Sequence, residues 1–159
     1  MSQLLEKLLA ARESGDFSPL IDAIPYAKWL GISVEVRDGE LIGKLQYEDK
    51  NIGNASLPAL HGGTLGALLE STAIYQVLYE AETLSLPKTI TITIDYLRSG
   101  KPVDTYARGI VTRHGRRVVN VRVEAWQEDR TRPIATAVVH FLIQPIGKAR
   151  TDGTDAQSG

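Results

Sequence analysis

The sequence predicts an α+β fold in which one antiparallel sheet of about six strands wraps around a long central helix. The chain has 159 residues, which favours one domain and is ample for a core. Only residues 63–81 keep apolar side chains at helical spacing over many turns. Six other segments are strand-like. Because a sheet must bury one face, the long helix is the only element large enough to cover it.

A helical lead and a polar tail flank the predicted main domain, which covers residues 26–146. In the lead, residues 1–25, leucines fall on one side of segment 4–13 with charges between them, which indicates an amphipathic helix. A second short helix is predicted over 19–23. The tail, residues 147–159, is rich in Gly, Ser, Thr and Asp, and this composition predicts disorder.

The main domain opens with a β-hairpin. Apolar and polar residues alternate over 32–36 and again over 41–47, and the Asp38-Gly39 pair marks a tight turn between them. A polar loop, 48–58, then leads to the long helix. After the helix, four strand-like segments are predicted to form a meander: residues 89–97, 103–113, 118–127 and 133–143.

Composition and charge exclude several classes of function. The net charge is −1 without a long basic block, so no nucleic-acid or membrane-surface partner is expected. The chain has no cysteine, which excludes disulfides, thiolate metal sites and cysteine nucleophiles. Its three histidines lack helical i,i+4 spacing, so no metal site is expected. Without a secretory signal or an apolar run of about 20 residues, we expect a soluble, cytoplasmic protein.

The run Leu60-His61-Gly62-Gly63-Thr64 is the strongest candidate for a functional site. Two adjacent glycines let the backbone approach a ligand closely, and helical spacing begins directly after them. Free N–H groups and the positive end of a helix dipole favour an anion or a polarised carbonyl oxygen. Glu70 follows about two turns later on an otherwise apolar helix. This combination suits attack on an acyl carbonyl.

Over residues 26–144 the sequence resembles the hot-dog-fold thioesterases, in particular the phenylacetate-degradation group of acyl-CoA hydrolases. The resemblance depends on Leu60-His61-Gly62-Gly63, on Glu70 nine positions after the histidine, and on the strand segment Ile94-Asp95-Tyr96-Leu97-Arg98-Ser99-Gly100. It implies hydrolysis of acyl-CoA thioesters without a metal or an organic cofactor. It also implies a homodimer joined edge to edge through its sheets, which can pair into a tetramer, with active sites that use residues from both subunits.

The resemblance also assigns roles to individual residues. Glu70 corresponds to the catalytic carboxylate, Gly62 with the adjacent Gly63 to the amide that binds the oxyanion, and His61 to the histidine that orients the thioester. Relatives carry Asn or Gln six residues before that histidine, where this chain has Ala55. Asn54 is one residue earlier, and a loop shift of one residue would restore the role. The family's hydroxyl on the strand after the helix corresponds to Thr89.

Three arginines are candidate ligands for the phosphates of coenzyme A, because a guanidinium matches phosphate oxygens. They are Arg98 and the pair Arg116 and Arg117, although each could equally be a solvated turn charge.

Several alternatives remain open from the sequence. Glu70 could act as a general base on water or as a nucleophile that forms an anhydride. A non-catalytic acyl-CoA sensor and an enoyl-CoA hydratase on the same fold are the competing functions. The hydratase pair normally has the acid before the histidine, whereas His61 here precedes Glu70.

Overall fold

Three short helices precede the sheet. The computed structural model describes residues 3–80 and 85–145, and in it these helices are α1 (Gln3–Ser14), α2 (Ser18–Ile21) and α3 (Pro25–Leu30). The sequence predicted α1 and α2 but not α3. Pro25 occupies the first turn of α3, where its missing N–H has no intrahelical acceptor in any case, and Gly31 ends the helix in the left-handed conformation.

The predicted hairpin is present as β1 (Ile32–Arg37) and β2 (Glu40–Leu45). Asp38 and Gly39 both have positive φ, as the tightest hairpin turns require. The segment after the hairpin, predicted as a polar loop, contains a 3₁₀ turn at Asp49–Asn51 and two short paired strands. These strands are β3 (Ile52–Asn54) and β4 (Ala59–Leu60).

The long helix, α4, runs over Gly62–Glu80 and is followed by four strands, close to their predicted places. These strands are β5 (Ser85–Tyr96), β6 (Thr105–His114), β7 (Val118–Trp126) and β8 (Ala135–Pro145). The main sheet is antiparallel, with the strand order β1-β2-β6-β7-β8-β5. The predicted fold class, an antiparallel sheet with one long helix against it, is confirmed.

One detail of the predicted topology is wrong. Strands β6, β7 and β8 form a meander, but β5 pairs with β8 rather than with β6. Strand β6 instead joins β2, with Gly43 opposite Ala107. Because that edge of β6 is taken, β5 lies at the end of the sheet, and its other edge has no strand beside it among the described residues.

The core lies between α4 and the inner face of the sheet. Every second residue of β7 points inwards and is fully buried, and Leu68, Leu69 and Ala73 of α4 pack over this face. The helix approaches most closely at Gly43 and Gly109. A Cβ atom at Gly43 would lie 3.2 Å from the Thr72 Cβ, and one at Gly109 would lie 3.1 Å from the Gln76 Cβ.

Two predictions fall outside the described residues: the disordered tail over 147–159 and the last residue of the predicted long helix, residue 81. No helix in ranges 3–80 and 85–145 has the length and apolar character to cross a membrane.

Candidate active site

His61 caps the N-terminus of α4. Its Nδ1 accepts a hydrogen bond from the Gly63 N–H at 2.9 Å, and its carbonyl oxygen accepts the N–H of Thr64 at 3.0 Å. This is the N-cap pattern, in which a side-chain acceptor satisfies one of the first free amides of the helix. Because Nδ1 accepts, a neutral His61 carries its proton on Nε2, which leaves an N–H donor on the exposed side of the ring.

Gly62 provides the first amide of α4. The structure assigns no acceptor to this N–H within residues 3–80 and 85–145, so it can receive a developing negative charge. The carbonyl of Gly62 accepts the Tyr96 hydroxyl of β5 at 2.8 Å. A Cβ atom at Gly62 would lie 3.1 Å from the Tyr96 ring, so the contact between turn and strand favours glycine here.

Gly63 and Gly53 both make room for the imidazole of His61. A Cβ atom at Gly63 would lie 2.9 Å from His61 Nδ1, and one at Gly53 would lie 2.7 Å from the His61 Cα. The main-chain N–H of His61 donates to the carbonyl of Asn51 at 2.8 Å. The 3₁₀ turn and β3 therefore pack against His61 and position residues 61–63 at the start of α4.

Glu70 is half-buried on α4 and contacts β5. The Thr89 hydroxyl donates to Glu70 Oε1 at 2.7 Å, which leaves the other carboxylate oxygen for a further contact. A β-bulge in the pairing of β5 with β8 follows directly, between Thr89 and Thr91. Such bulges commonly re-aim a side chain beside a functional site. The predicted hydroxyl residue is thus in contact with the predicted carboxylate.

Gly62 and Glu70 contact strand β5 at two positions seven residues apart. The turn meets β5 at Tyr96, whereas Glu70 meets it at Thr89. Along α4 the two positions are eight residues apart, which corresponds to about 12 Å of helix. An oxyanion donor and a catalytic carboxylate must both lie near one carbonyl carbon, so these two groups of a single chain are too far apart to act together.

Asn54 is exposed on β3, and no described contact joins it to Glu70. Its Oδ1 accepts the N–H groups of Ser56 at 3.0 Å and Leu57 at 3.2 Å. This Asx-type turn uses the side-chain oxygen for the loop itself. Only the amide nitrogen of Asn54 remains for a water molecule, and the predicted role stays a prediction.

The three candidate arginines do not form one cluster within a chain. Arg98 lines a cleft of about 390 Å³ together with Gly62 and Tyr96, and its Nη1 donates to the Pro133 carbonyl at 2.9 Å. Arg116 and Arg117 are exposed in the β6–β7 turn at the opposite end of the sheet, where Val118 faces Leu142.

Sequence reasoning missed the roles of Tyr96 and Asn51. Tyr96 belongs to the segment on which the resemblance depends, but the sequence did not predict its hydrogen bond to Gly62. Asn51 contributes a backbone carbonyl, for which the sequence contains no signal. Within the described ranges, no three His, Asp or Glu side chains lie together as a metal site would need.

The candidate site thus combines a helix N-terminus, a capping histidine and a carboxylate that accepts a hydroxyl hydrogen bond from the adjoining strand. The model of the family described as the thioesterase superfamily matches residues 57–134. The chain belongs to this superfamily of hot-dog-fold enzymes, and it is a thioester hydrolase.

Individual relatives and solved structures are similar to this chain over most of their length. The medium/long-chain acyl-CoA thioesterase YigI of Salmonella typhimurium is 27% identical over 135 residues, which cover 76% of this chain and 86% of YigI. A crystal structure of a protein from Chromobacterium violaceum is 36% identical, with a TM-score of 0.71, and the match covers 89% of this chain and 98% of that one. A Bacillus halodurans protein crystallised with CoA shares the fold at 17% identity and a TM-score of 0.68, over 91% and 95% of the two chains.

Proposed function

We propose that this enzyme hydrolyses acyl-CoA thioesters, with the Gly62 N–H and His61 Nε2 polarising the thioester carbonyl and Glu70 driving the addition of water. The observation that carries this proposal is the pair of contacts along β5, where Tyr96 holds the Gly62 turn and Thr89 holds Glu70. The relative named as an acyl-CoA thioesterase and the fold neighbour crystallised with CoA support this class of substrate.

The proposed site is shared between two subunits. The helical separation of about 12 Å between Gly62 and Glu70 along one chain supports a site that is completed by a second chain. Antiparallel pairing of two β5 edges, with the twofold axis between Ile92 and Thr93, would bring Thr89 of the partner subunit opposite Tyr96. Glu70 of the partner subunit would then lie near Gly62.

The side chains along the free edge of β5 support this pairing. Ile90, Tyr96 and Leu97 are each more than half exposed in the single chain. Unpaired strand edges are normally covered or blocked, and apolar side chains along an edge favour pairing with another strand.

Two chemical roles for Glu70 fit this geometry. As a general base it removes a proton from water while that water attacks the carbonyl. As a nucleophile its carboxylate oxygen attacks the carbonyl, the C–S bond breaks and coenzyme A leaves as the thiolate; water then hydrolyses the resulting anhydride to the free acid and the Glu70 carboxylate. Single-turnover hydrolysis in H₂¹⁸O tests the nucleophilic role by mass spectrometry. Label in the Glu70 carboxylate requires an anhydride whose Glu70 carbonyl is attacked by water, and general-base catalysis cannot produce it.

The primary test follows the release of coenzyme A with a thiol reagent from short, medium, long and aromatic acyl-CoAs. The chain has no cysteine, so the protein adds no thiol background. We expect Glu70→Gln to lower kcat at least about a hundredfold, a loss typical of removing a proton-transfer group. Glu80→Gln is the matched control, because it makes the same change at the other end of α4.

Three outcomes would contradict parts of the proposal. Binding of acyl-CoA without turnover would favour the sensor alternative. Unchanged turnover in Glu70→Gln would keep the activity and overturn the mechanism. The proposed reaction uses no metal or organic cofactor, so a loss of turnover in EDTA that added metal restores would contradict that part.

A further inference from the structure

A second, smaller cleft adjoins the one beside Gly62. It has a volume of about 150 Å³, and three basic side chains line it: Arg98, Lys101 and Arg132. The two clefts share Arg98 and Ser99 as a common wall. A ligand that lies along this wall can therefore reach from the amide of Gly62 to the basic groups.

The wall that contains Arg98 and Ser99 is connected by hydrogen bonds and packing to the segment that leads into His61. The Leu60 N–H donates to the Gly100 carbonyl at 2.9 Å, one residue before His61. Gly100 is buried, and a Cβ atom there would lie 3.2 Å from Leu60 Cδ1 and 3.3 Å from Ile134 Cδ1. The backbone amides of Leu97 and Arg98 both donate to the Ile134 carbonyl. The wall is thus held between the turn and the start of β8.

Gln127 fixes the far end of this wall. Its Oε1 accepts the Lys101 N–H at 3.0 Å, and its Nε2 donates to the Lys101 carbonyl at 2.9 Å. The same Nε2 lies 3.1 Å from the Thr105 hydroxyl. One amide side chain therefore holds both backbone groups of Lys101 and sets where its ammonium group emerges.

The acidic residues of the cleft leave the basic groups accessible. Asp129 accepts the hydroxyl and the N–H of Thr131, and these bonds lower the pKa of its carboxyl. Glu128 pairs with Lys101 at 3.1 Å, but both side chains are mostly exposed, so a ligand can replace this weak pair. Arg98 uses only Nη1 for Pro133, which orients the remaining donors of its guanidinium.

We propose that Arg98, Lys101 and Arg132 form a subsite for the phosphates of coenzyme A, with the pantetheine arm lying along the wall towards Gly62. This inference rests on the proposed function and adds Lys101 and Arg132 to the residues that bind the substrate. Glu128 and Asp129 also line the cleft, so its net charge is +1 from three cations and two carboxylates. The three separate cations can contact several phosphates at the nucleotide end of coenzyme A, whereas a carrier-bound pantetheine offers only one phosphate. Charge-assisted bonds from guanidinium and ammonium groups are the usual means of holding such phosphates.

Three substrates with the same acyl group test the subsite: acyl-CoA, acyl-phosphopantetheine and acyl-pantetheine. For the wild-type enzyme we expect KM to rise in that order while kcat changes little. Lys101→Gln and Arg132→Gln are each expected to raise KM for acyl-CoA about tenfold, the lower end for a lost hydrogen bond to a charged group. Neither variant should change KM for acyl-pantetheine, which has no phosphate.

Arg37→Gln is the matched control, because it removes one positive charge from β1 at the opposite edge of the sheet from β5. It should leave all three KM values unchanged. An unchanged KM for acyl-CoA in both cleft variants would overturn the subsite. An equal rise with acyl-pantetheine would do the same, because it would indicate a structural effect rather than a lost phosphate contact.

Calorimetric titration with free coenzyme A keeps the subsite testable if no thioester is hydrolysed. We expect the double variant Lys101→Gln/Arg132→Gln to weaken coenzyme A binding more than either single change does. Inorganic phosphate serves as the second ligand. If it binds as tightly as coenzyme A, the cleft is a general anion site and the proposal is wrong. Absence of turnover together with intact coenzyme A binding would overturn the proposed hydrolysis alone.

Discussion

At the scale of single residues, the two ring nitrogens of His61 have separate tasks. Nδ1 stabilises the helix by accepting the Gly63 N–H, and Nε2 is the proposed donor to the thioester carbonyl. A substitution that keeps one atom and removes the other can separate these tasks. The Oδ1 of asparagine can replace Nδ1 as the acceptor of an N-cap, but asparagine is too short to replace Nε2.

His61→Asn is therefore expected to lower kcat while the free energy of unfolding stays near that of the wild type. His61→Ala should lower kcat to a similar extent and also lose about 1 kcal/mol of stability, the usual value of an N-cap. Urea denaturation and steady-state kinetics on both variants provide the check. Equal stability of the two variants would show that the cap contributes nothing.

The sequence identified His61 and Glu70 because their residue types and spacing indicate a chemistry directly. It could not identify contacts that depend on folding. The Tyr96 hydroxyl reaches Gly62 across 34 positions of sequence, and Asn51 acts through a backbone carbonyl that any residue possesses. The predicted role of Asn54, to bind the attacking water, depends on its amide nitrogen, because its Oδ1 already accepts two N–H groups in the turn of its own loop.

At the scale of elements, the packing of α4 on the sheet depends on glycines of the sheet. Gly43→Ala would drive a methyl group into the Thr72 side chain, so we expect a loss of roughly 1–3 kcal/mol of stability, typical of overpacking. Thr72→Ala keeps the Cβ atom but removes Oγ1 and Cγ2, which would also meet the added methyl group. The double variant should therefore be more stable than the two separate losses predict, and a double-mutant cycle by urea denaturation measures the difference. Strict additivity would argue against the contact.

The junction of β2 with β6 contains a carboxylate that should make stability depend on pH. Asp104 accepts the Tyr47 N–H at 2.8 Å and pairs with Lys44 at 2.9 Å. Both contacts lower the pKa of Asp104 in the folded protein, the backbone bond foremost. This contribution is complete above the unfolded pKa of about 3.9 and is lost as pH falls through the folded pKa.

Asp104→Asn should accordingly remove part of the acid-induced loss of stability. Because the pair is partly exposed, we expect the effect to stay below about 1 kcal/mol. Urea midpoints of the wild type and the variant, measured from pH 7 down to pH 2.5, test this expectation. Parallel curves for the two proteins would mean that Asp104 does not contribute.

Long periodic elements were predictable from the sequence, whereas neighbours in the sheet were not. Helix α4 and strands β6 and β7 lie within two residues of the predicted bounds at the ends that the structure describes, because apolar spacing over many residues is a strong signal. The position of β5 beside β8 could not be predicted from the sequence. The alternation of apolar and polar residues shows which face of a strand is buried, but it does not show which strand is adjacent. Helix α3 has only six residues, too few for a periodic signal.

At the scale of the whole molecule, the separation of Gly62 and Glu70 predicts complementation between subunits. His61→Ala and Glu70→Gln each remove one half of the proposed shared site. In a heterodimer of the two variants, one site receives both defects and the other receives none. Random pairing after co-expression should therefore restore about a quarter of the wild-type activity. Different affinity tags on the two variants, followed by sequential purification on both tags, establish whether heterodimers are present.

A mixture that stays as inactive as its two components, although heterodimers have formed, would mean that each chain uses its own Glu70. The control is co-expression of Glu70→Gln with Thr89→Val. Both changes affect the same half of the site, so every site in the heterodimer keeps one defect. That mixture should show no gain over the average of its parts.

The tight contact of α4 with the sheet limits where a hydrocarbon tail can go. At Gly43 and Gly109 the helix touches the strands so closely that even one added methyl group meets a side chain. An acyl tail has no room at these two contacts. In the proposed dimer it would extend instead along the boundary between the two subunits, and the side chains that limit its length would also form the subunit contact. Selection for a longer or shorter substrate would, in this enzyme, also change how strongly the two subunits associate.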